Sequence, residues 1–477
     1  MSSRHRSSAS TLLLLLSPAM FGACSTPPPA APVVAVRRAP IGAPASALVV
    51  AAPDVLRLRL VEQPDPGTTG VVIPDVVELP SGDIAVAGTS WAANLGPGAE
   101  HIADGFVAGF APDGARRWLC LSASPPADLG VDGAGGVYVA LSEPGVAACA
   151  PGAGVARPEG RWGAAAGPLF SSIEVAIDAA GRPRWSTPYP AASRPLLHTA
   201  VGAHGNVVQI GGIDTSVLST LDENGGARWS RRGKHVGRGR HLEVAVSSDG
   251  GVALFNDGFT GTLDGAKTTP SPLPARSLVM LDRRGNIAWS DAMLATVGPR
   301  HDESLVVHAV AFDGSDLLVL GHAMQPLTLG GKAVPCNPGG SLFLGRLDAS
   351  GAAKWVRTFE QARGLDPREP TSLLRGWDGG VIMVSRSFGP PPTEQPSERN
   401  VDVLLTHLDR EGHDVSRRPL AFAGMSPPRF AASASGDAVL ISAVVDTAAQ
   451  QKSLFPDAPF VPASAGRNIL IGRLMVE

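Results

Sequence analysis

One phrase recurs six times along this chain, and its spacing constrains the fold more than any other feature. It consists of an apolar residue, a second position that is usually Asp, two variable residues, Gly, three further residues and Trp. The copies are Phe110/Gly114/Trp118, Ile177/Gly181/Trp185, Leu221/Gly225/Trp229, Leu281/Gly285/Trp289, Leu347/Gly351/Trp355 and, without its Trp, Leu408/Gly412/Ser416. Repetition every few dozen residues is typical of a closed array of small sheets that forms one large domain.

A second phrase, a short turn followed by an alternating apolar strand, occurs seven times between copies of the first. Its Gly-Gly, Gly-Asn and Gly-Asp pairs suit the positive φ angles of a tight hairpin. The copies lie at residues 81–84, 134–137, 204–207, 249–252, 314–317, 378–381 and 435–438. Each unit therefore holds four strands, A to D, which in the fourth unit are residues 242–247, 252–256, 278–282 and 286–290.

Four-stranded antiparallel units repeated around an axis form a β-propeller. Six units carry a D strand, whereas the seventh stops at strand C, residues 469–474. Residues 55–61, which alternate between apolar and charged side chains, can supply the missing strand and remove an exposed sheet edge. The sequence predicts an all-β, seven-bladed β-propeller of twenty-eight strands in four-stranded antiparallel blades, closed by an N-terminal strand.

Composition agrees with this fold class. The chain has 56 Gly and 43 Pro but only 17% charged residues, which favours tight turns and strands over helices. Its formal net charge of -3 gives no indication of a nucleic-acid partner.

The repeat also resembles a known family. Residues 343–351, FLGRLDASG, followed by Trp355, resemble the seven-bladed propeller repeats of secreted bacterial proteins (SBBP-like) and are similar to the PQQ-like repeat of quinoprotein propellers. The resemblance covers roughly residue 55 to the C-terminus and implies a fold, because propellers host many unrelated activities. Quinoprotein dehydrogenases of this kind commonly use adjacent cysteines beside the cofactor. No two cysteines are adjacent here, so we expect no cofactor.

The N-terminus has the pattern of an export signal. Basic residues 4–6 precede a short apolar run at residues 12–16, which is too short to span a bilayer. Residues 21–24, Phe-Gly-Ala-Cys, resemble the lipobox of bacterial lipoproteins, in which cleavage precedes a lipid-modified Cys. Phe21 departs from the preferred Leu, and an ordinary secretory signal is the alternative.

Three regions follow from this interpretation. Residues 1–23 are predicted to be a lipoprotein signal peptide, and residues 24–53 a lipidated Cys24 with a disordered Pro/Ala tether. Residues 54–477 are the propeller. The chain is thus expected to be exported and lipid-anchored at a bacterial outer membrane, on its periplasmic or cell-surface face. Ser25 is compatible with that sorting if the family resemblance holds.

Three cysteines remain after Cys24. Disulfides can form in exported proteins, and Cys120 with Cys149 is the pair closest in sequence. Since three thiols cannot all pair within one molecule, the alternative is that Cys120, Cys149 and Cys336 are small buried or loop cysteines.

The recurring Trp and Asp residues are expected to serve the scaffold. Trp118, Trp185, Trp229, Trp289 and Trp355 are predicted to dock between blades and to donate their N–H to backbone carbonyls, although an aromatic sugar-binding rim is the alternative. Asp178, Asp222, Asp282, Asp348 and Asp409 are expected to initiate turns. Calcium is the other possibility for Asp, but most copies lack the converging oxygens that calcium needs.

Charged residues are concentrated in the connections from strand D to the next strand A, which share one face of a propeller. This basic sector could attract an anionic glycan, a lipid head group or an acidic protein segment, unless its loops are merely solvated. The candidate binding face consists of Arg231, Arg232, Lys234, His235, Arg238, Arg240, His241, Arg300 and His301.

No catalytic signature is present. The histidines lack the spacing of a compact zinc site, so no metal site is predicted. No Gly-x-Ser-x-Gly elbow is carried on a strand-to-helix turn. We therefore favour a monomeric, non-catalytic binding or scaffolding protein whose partner is an envelope protein or glycan, with the membrane reached through the lipid anchor only. The alternatives are a propeller enzyme, either a quinone-dependent dehydrogenase or a polysaccharide-cleaving protein, and an accessory factor in outer-membrane assembly.

Overall fold

The structure is a computed structural model that describes the strands and their tight turns. It covers residues 55–58, 71–90, 104–112, 115–122, 126–141, 146–151, 173–189, 196–211, 215–234, 242–256, 277–293, 305–337, 340–359, 372–376, 379–388, 401–422, 428–433, 438–445 and 468–475. In these ranges, no helix is long and apolar enough to cross a membrane.

Seven antiparallel sheets form the blades, and each begins with its inner strand. Blade 7 takes β1 (Val55–Leu58) as its outer strand. Blade 1 contains β2 (Val71–Glu78), β3 (Ile84–Ser90), β4 (Asp104–Phe110), β5 (Arg116–Ser122) and, beyond β5, β8 (Val146–Pro151). Blade 2 contains β6 (Pro126–Val131), β7 (Val137–Leu141), β9 (Ile173–Ile177) and β10 (Pro183–Pro188). Blade 3 contains β11 (Leu196–Val201), β12 (Val207–Gly211), β13 (Thr215–Leu221) and β14 (Ala227–Lys234).

The remaining blades repeat this order. Blade 4 contains β15 (Leu242–Val246), β16 (Val252–Asn256), β17 (Ser277–Leu281) and β18 (Ile287–Ala292). Blade 5 contains β19 (Leu305–Asp313), β20 (Asp316–Ala323), β23 (Ser341–Leu347) and β24 (Ala353–Phe359), with a small hairpin of β21 (Leu327–Leu329) and β22 (Lys332–Val334) between β20 and β23. Blade 6 contains β25 (Ser372–Arg375), β26 (Val381–Phe388), β27 (Val401–Leu408) and β28 (Asp414–Phe422). Blade 7 contains β29 (Arg429–Ala432), β30 (Ala438–Val445), β31 (Asn468–Met475) and β1.

The blades close into a ring. Each inner strand contacts the inner strand of the next blade, and β29 of blade 7 contacts β2 of blade 1. The predicted closing strand is confirmed, because β1 pairs antiparallel with β31 from Val55 opposite Gly472 to Leu58 opposite Ile469. The described residues form thirty-one strands, and the three beyond the expected twenty-eight are β8, β21 and β22.

Successive copies of the Trp phrase form an interlock between neighbouring blades. The indole N–H of each Trp donates a hydrogen bond to a carbonyl in the C–D turn of the next blade. The acceptor is the residue directly after Asp, as in Trp289 to Ala349 at 3.0 Å. The glycine two residues further on lies against the same ring, since a Cβ on Gly351 would come within 2.9 Å of Trp289. The five donors Trp118, Trp185, Trp229, Trp289 and Trp355 thus have the docking role predicted for them.

The recurring Asp fixes the carbonyl that each Trp needs. In the turn of blade 5, Asp348 Oδ1 accepts the amides of Ser350 at 2.8 Å and Ala352 at 3.1 Å. The Ser350 hydroxyl and these amides hold the pKa of Asp348 below its usual value. Gly351, at φ +85°, donates its amide to the Asp348 carbonyl and completes the turn. The predicted turn role of Asp is therefore confirmed.

The missing Trp of the sixth phrase has a topological explanation. Ser416 lies on β28, the outer strand of blade 6, at the position where the other blades carry Trp. The next blade has no C–D turn to receive a Trp, because its C strand is β31 and its D strand, β1, comes from the other end of the chain. A Trp at this position would lack both its carbonyl and its glycine partner.

Blade interfaces are mostly apolar, with a charged layer between blades 5 and 6. The Arg346 side chain is only 1% exposed. Its guanidinium forms ion pairs with Asp313 and Asp316, and donates to the Gly379 carbonyl of the next blade at 3.1 Å. Arg473 occupies the same place in the C strand of blade 7 and pairs with Glu78 of blade 1. An arginine of strand C therefore joins each of these two interfaces.

The interlock can be tested with two glycines of similar backbone conformation. Gly351→Ala and Gly331→Ala both force Ala to adopt a positive φ, near +85° and +80°. A Cβ at position 351 meets Trp289, whereas a Cβ at position 331 has nothing within 4 Å. We expect Gly351→Ala to lower the free energy of unfolding by about 1–2 kcal/mol more than Gly331→Ala, measured by denaturant titration. Equal losses would show that the Trp contact contributes nothing.

Ring closure can be tested by truncation. Removing residues 26–53 should leave the thermal midpoint unchanged. Removing residues 26–61 should lower the midpoint by roughly 10 °C and cause self-association, because β31 loses its partner β1 and becomes an exposed edge. Scanning calorimetry and gel filtration measure both effects. Similar midpoints for the two truncations would argue against closure by β1.

Candidate functional site

Polar side chains from several inner strands lie at one level of the ring. Four charged residues each lie three residues before the last paired residue of their inner strand. They are Asp75 on β2, Asp128 on β6, Glu243 on β15 and Arg429 on β29. All four side chains are half-buried. We call these four, with Glu174 on β9, the axial cluster.

Main-chain amides hold two of the carboxylates in place. Asp75 Oδ1 accepts the amide of Val76 at 2.8 Å, and Asp128 Oδ1 accepts the amide of Leu129 at 2.9 Å. Asp128 Oδ2 also reaches the next blade, where it accepts the amide of Thr199 at 2.8 Å. The inner strands of blades 2 and 3 are joined in this way, and the carboxylate is oriented by two donors.

Glu174 continues the network between blades 2 and 3. Its Oε2 atom accepts the Thr199 hydroxyl at 3.0 Å and the Gln209 amide group at 3.3 Å, and Ser219 in turn donates to Gln209 Oε1 at 3.2 Å. Glu174 is fully buried, and its Oε1 atom has no hydrogen-bond partner among the described residues. One carboxyl oxygen of Glu174 is therefore buried without a hydrogen-bond partner among the described residues.

Burial, with a smaller effect of the Asp128 charge, raises the pKa values of three carboxyls, Asp75, Glu174 and Glu243. Burial, together with the charge of Asp128, raises the pKa of Asp75 to about 8 against the opposing charge of Arg429. Burial raises the pKa of Glu174 to about 8 although Gln209 and Thr199 donate to it. Burial and the charge of Asp128 also raise the pKa of Glu243 to about 8. Because Asp128 acts on carboxyls of blades 1, 2 and 4, the cluster is one electrostatic unit.

The predicted basic face is only partly within the described residues. His235, Arg238, Arg240, His241, Arg300 and His301 lie outside them. Arg231, Arg232 and Lys234 were expected in a connection, but this placement is wrong because β14 extends through Lys234 and pairs with β13. Arg231 contacts the ring of Trp229 and donates to the Gly285 carbonyl of the next blade at 3.3 Å. It therefore supports the interlock.

The cysteines also have defined places. Cys120 on β5 is disulfide-bonded, and the register puts Cys149 of β8 directly opposite it. This agrees with the predicted pairing. Because β8 belongs to the B–C connection of blade 2 but extends the sheet of blade 1, the two blades are joined at their outer edges. Cys336 carries a thiol, whose sulfur lies 3.4 Å from the Ala323 carbonyl oxygen. Cys24 lies outside the described residues.

Sequence reasoning did not find the axial cluster. Its members occur singly in strands whose local pattern is unremarkable for a blade, and they share no motif. The only available signal was a charged residue repeated at one position of strand A in different units. Recognising it requires the strand register, which the sequence does not supply.

The raised pKa values predict a pH-dependent stability. The pKa of Glu174 is about 8 in the fold against its usual 4.5, so its contribution is fully present below pH 4.5 and is lost as pH rises through 8. Glu174→Gln keeps an acceptor for Thr199 but cannot ionise. Wild type loses this contribution as the pH rises from 6 to 9, whereas the variant does not. The free energy of unfolding of the variant should therefore rise by about 1–3 kcal/mol relative to that of wild type over this range.

Denaturant titrations at both pH values measure this gain. The exposed Glu411→Gln variant serves as the control and should show no such gain. A parallel pH dependence in wild type and Glu174→Gln would contradict the assignment.

Comparison with known proteins gives only distant structural similarities. No protein-family model and no curated protein matches the chain. Solved structures similar to it include a protein of unknown function from Dyadobacter fermentans, with 11% identity over 90% of this chain and 99% of that chain and a TM-score of 0.39. The Dos1 propeller has 8% identity over 88% and 96%, with a TM-score of 0.39. The exotype rhamnogalacturonan lyase YesX has 13% identity over 88% and 75%, also with a TM-score of 0.39.

Proposed function

We propose that this chain is an exported, lipid-anchored, non-catalytic binding propeller that holds a protein or glycan of the envelope at its axial cluster. The signal-like pattern of residues 4–16, the lipobox-like residues 21–24 and the resemblance to secreted bacterial propeller repeats support this proposed location. Metabolic labelling with a fatty acid, with Cys24→Ser as the unlabelled control, tests the anchor.

The axial cluster is the observation that supports binding. Asp75, Asp128 and Glu243 come from three blades and remain partly open to solvent, and the charge of Asp128 acts on both of the others. Amides fix Asp75 and Asp128 before any ligand arrives, so binding costs little reorganisation. Fixed polar groups with perturbed pKa values are common at ligand sites.

One observation favours a second candidate, a polysaccharide-cleaving enzyme. Asp75 and Asp128 are neighbouring carboxyls, and the charge of Asp128 helps to raise the pKa of Asp75. Two carboxyls in different protonation states can act as acid and base at a glycosidic bond. We favour binding because both carboxylates already accept main-chain hydrogen bonds, and the one from Thr199 to Asp128 joins two inner strands.

The binding proposal predicts stabilisation without turnover. The full chain is mixed with neutral, acidic and amine-bearing oligosaccharides and with short peptides, and its thermal midpoint is measured. At least one ligand at a hundred times its dissociation constant should raise the midpoint by about 2 °C or more. The shift should be lost in Glu243→Gln and kept in Glu411→Gln.

Reducing-end and product assays on the same mixtures decide between the two candidates. Release of products that requires Asp75 and Asp128 would replace the binding proposal with the enzyme. A midpoint shift that Glu243→Gln leaves intact would place the ligand elsewhere, and no shift with any ligand would count against the axial site altogether.

A further inference from the structure

We propose that the disulfide of Cys120 is a redox switch whose reduction releases β8 from the outer edge of blade 1 while the ring stays closed. The axial cluster lies on other strands, so the proposed binding function and this switch can fail separately.

β8 is an addition to its blade. Every blade has four strands in the order A to D, and β8 is a fifth strand beyond β5 of blade 1. By sequence it belongs to the connection between β7 and β9 of blade 2, with residues 142–145 before it and residues 152–172 after it. β8 is therefore a strap that links blade 2 to the outer edge of blade 1.

Blades 1 and 2 also have contacts that do not involve this strap. The indole N–H of Trp118 donates to the Ala179 carbonyl at 3.2 Å, and the inner strands β2 and β6 contact each other. β5 is paired on its other side with β4, from Arg116 to Ser122. Release of β8 therefore leaves the two blades joined and β5 in its sheet.

Main-chain pairing holds β8 only weakly. It covers five residue pairs and is interrupted by a bulge between Cys120 and Leu121. Pro151, which lies opposite Trp118, has no N–H to donate to a neighbouring strand. Three of the six residues of β8 are Ala, which offers little apolar surface to bury. The disulfide therefore contributes much of what keeps this edge strand in place.

The position of the bond limits how a reductant reaches it. Cys120 is only 2% exposed, and the register puts Cys149 of β8 opposite it. Because β8 is the outermost strand of the sheet, the bond lies one strand from the edge. Edge strands with few interactions open locally without global unfolding, and such an opening admits a thiolate.

The reductant is a dithiol, such as the paired thiols of a thiol–disulfide oxidoreductase. One of its thiolates attacks the Cys149 sulfur and forms a mixed disulfide, and Cys120 leaves as a thiolate that takes up a proton. The second thiolate of the reductant then attacks its own bonded sulfur, and Cys149 leaves and is protonated. Two electrons and two protons pass to the protein, and the dithiol becomes a disulfide.

Reduction changes the edge of blade 1 and leaves its interior in place. Cys120 belongs to the apolar cluster between blades 1 and 2, which includes Val107 and Leu141. A thiol is a small apolar group that this cluster can retain. β8 loses its covalent link, and the main-chain groups of β5 that it covered become an exposed sheet edge.

Hydrogen exchange of the full chain tests the switch. The Cys24→Ser/Cys336→Ser chain retains only Cys120 and Cys149, so dithiothreitol acts on one bond. In the reduced protein, amides of β5 and β8 should exchange at least about tenfold faster than in the oxidised protein. Amides of β2, β3 and the strands of blade 6 should exchange at unchanged rates.

A variant without the bond separates its loss from other effects of the reductant. Replacing Cys120 and Cys149 with Ser in the same background should give fast exchange at β5 and β8 with and without dithiothreitol. Removal of dithiothreitol followed by oxidised glutathione should restore slow exchange in the two-cysteine chain and leave the Ser variant unchanged. Exchange that stays fast after reoxidation would contradict a reversible switch.

Three other results would overturn the proposal. Unchanged exchange at β8 after reduction would make the bond a static cross-link. Faster exchange in every blade would show that the bond holds the whole fold together. Failure of a thiol reagent to label Cys120 and Cys149 in the native protein with dithiothreitol, when both are labelled in denaturant, would show that the folded protein is not reduced.

Discussion

The contact between each Trp and the next blade's turn is the interaction on which this structure depends. Asp orients the turn, the following carbonyl accepts the indole N–H, and Gly leaves room for the ring, as Trp289 and Gly351 show. The same few residues therefore act twice, once as the turn of their own blade and once as the dock for the previous one. A single repeated phrase thus sets the turns within blades and the spacing between them.

This constraint leaves the inner strands free to vary. The interlock lies at the outer strand D and the C–D turn, whereas the inner strand A only needs to contact its neighbours. Asp75, Asp128, Glu243 and Arg429 occupy equivalent inner positions with different charges. Charged side chains are tolerated there because amides, partial solvent exposure and proton uptake offset the cost of burying them.

Several elements were predictable because they rest on local chemistry. The hairpin glycines, such as Gly135 and Gly250, adopt positive φ as expected from their turns. The pairing of β1 with β31 followed from counting strands. By contrast, the predicted position of Arg231 in a connection was wrong. Charged residues also occur within an outer strand whose face is exposed, so they do not show where the strand ends. β8 was also missed, since it belongs to one blade by sequence and to another by pairing.

The sequence by itself determined the number of blades, the turn chemistry and the role of the tryptophans, because each depends on residues within one repeat and its neighbour. Only the tertiary structure decided the axial cluster. Asp75 and Arg429 lie near opposite ends of the chain, and ring closure brings their charges within reach of each other. Electrostatic coupling and burial depend on distance in space, so no pattern along the chain could show that these residues form one site.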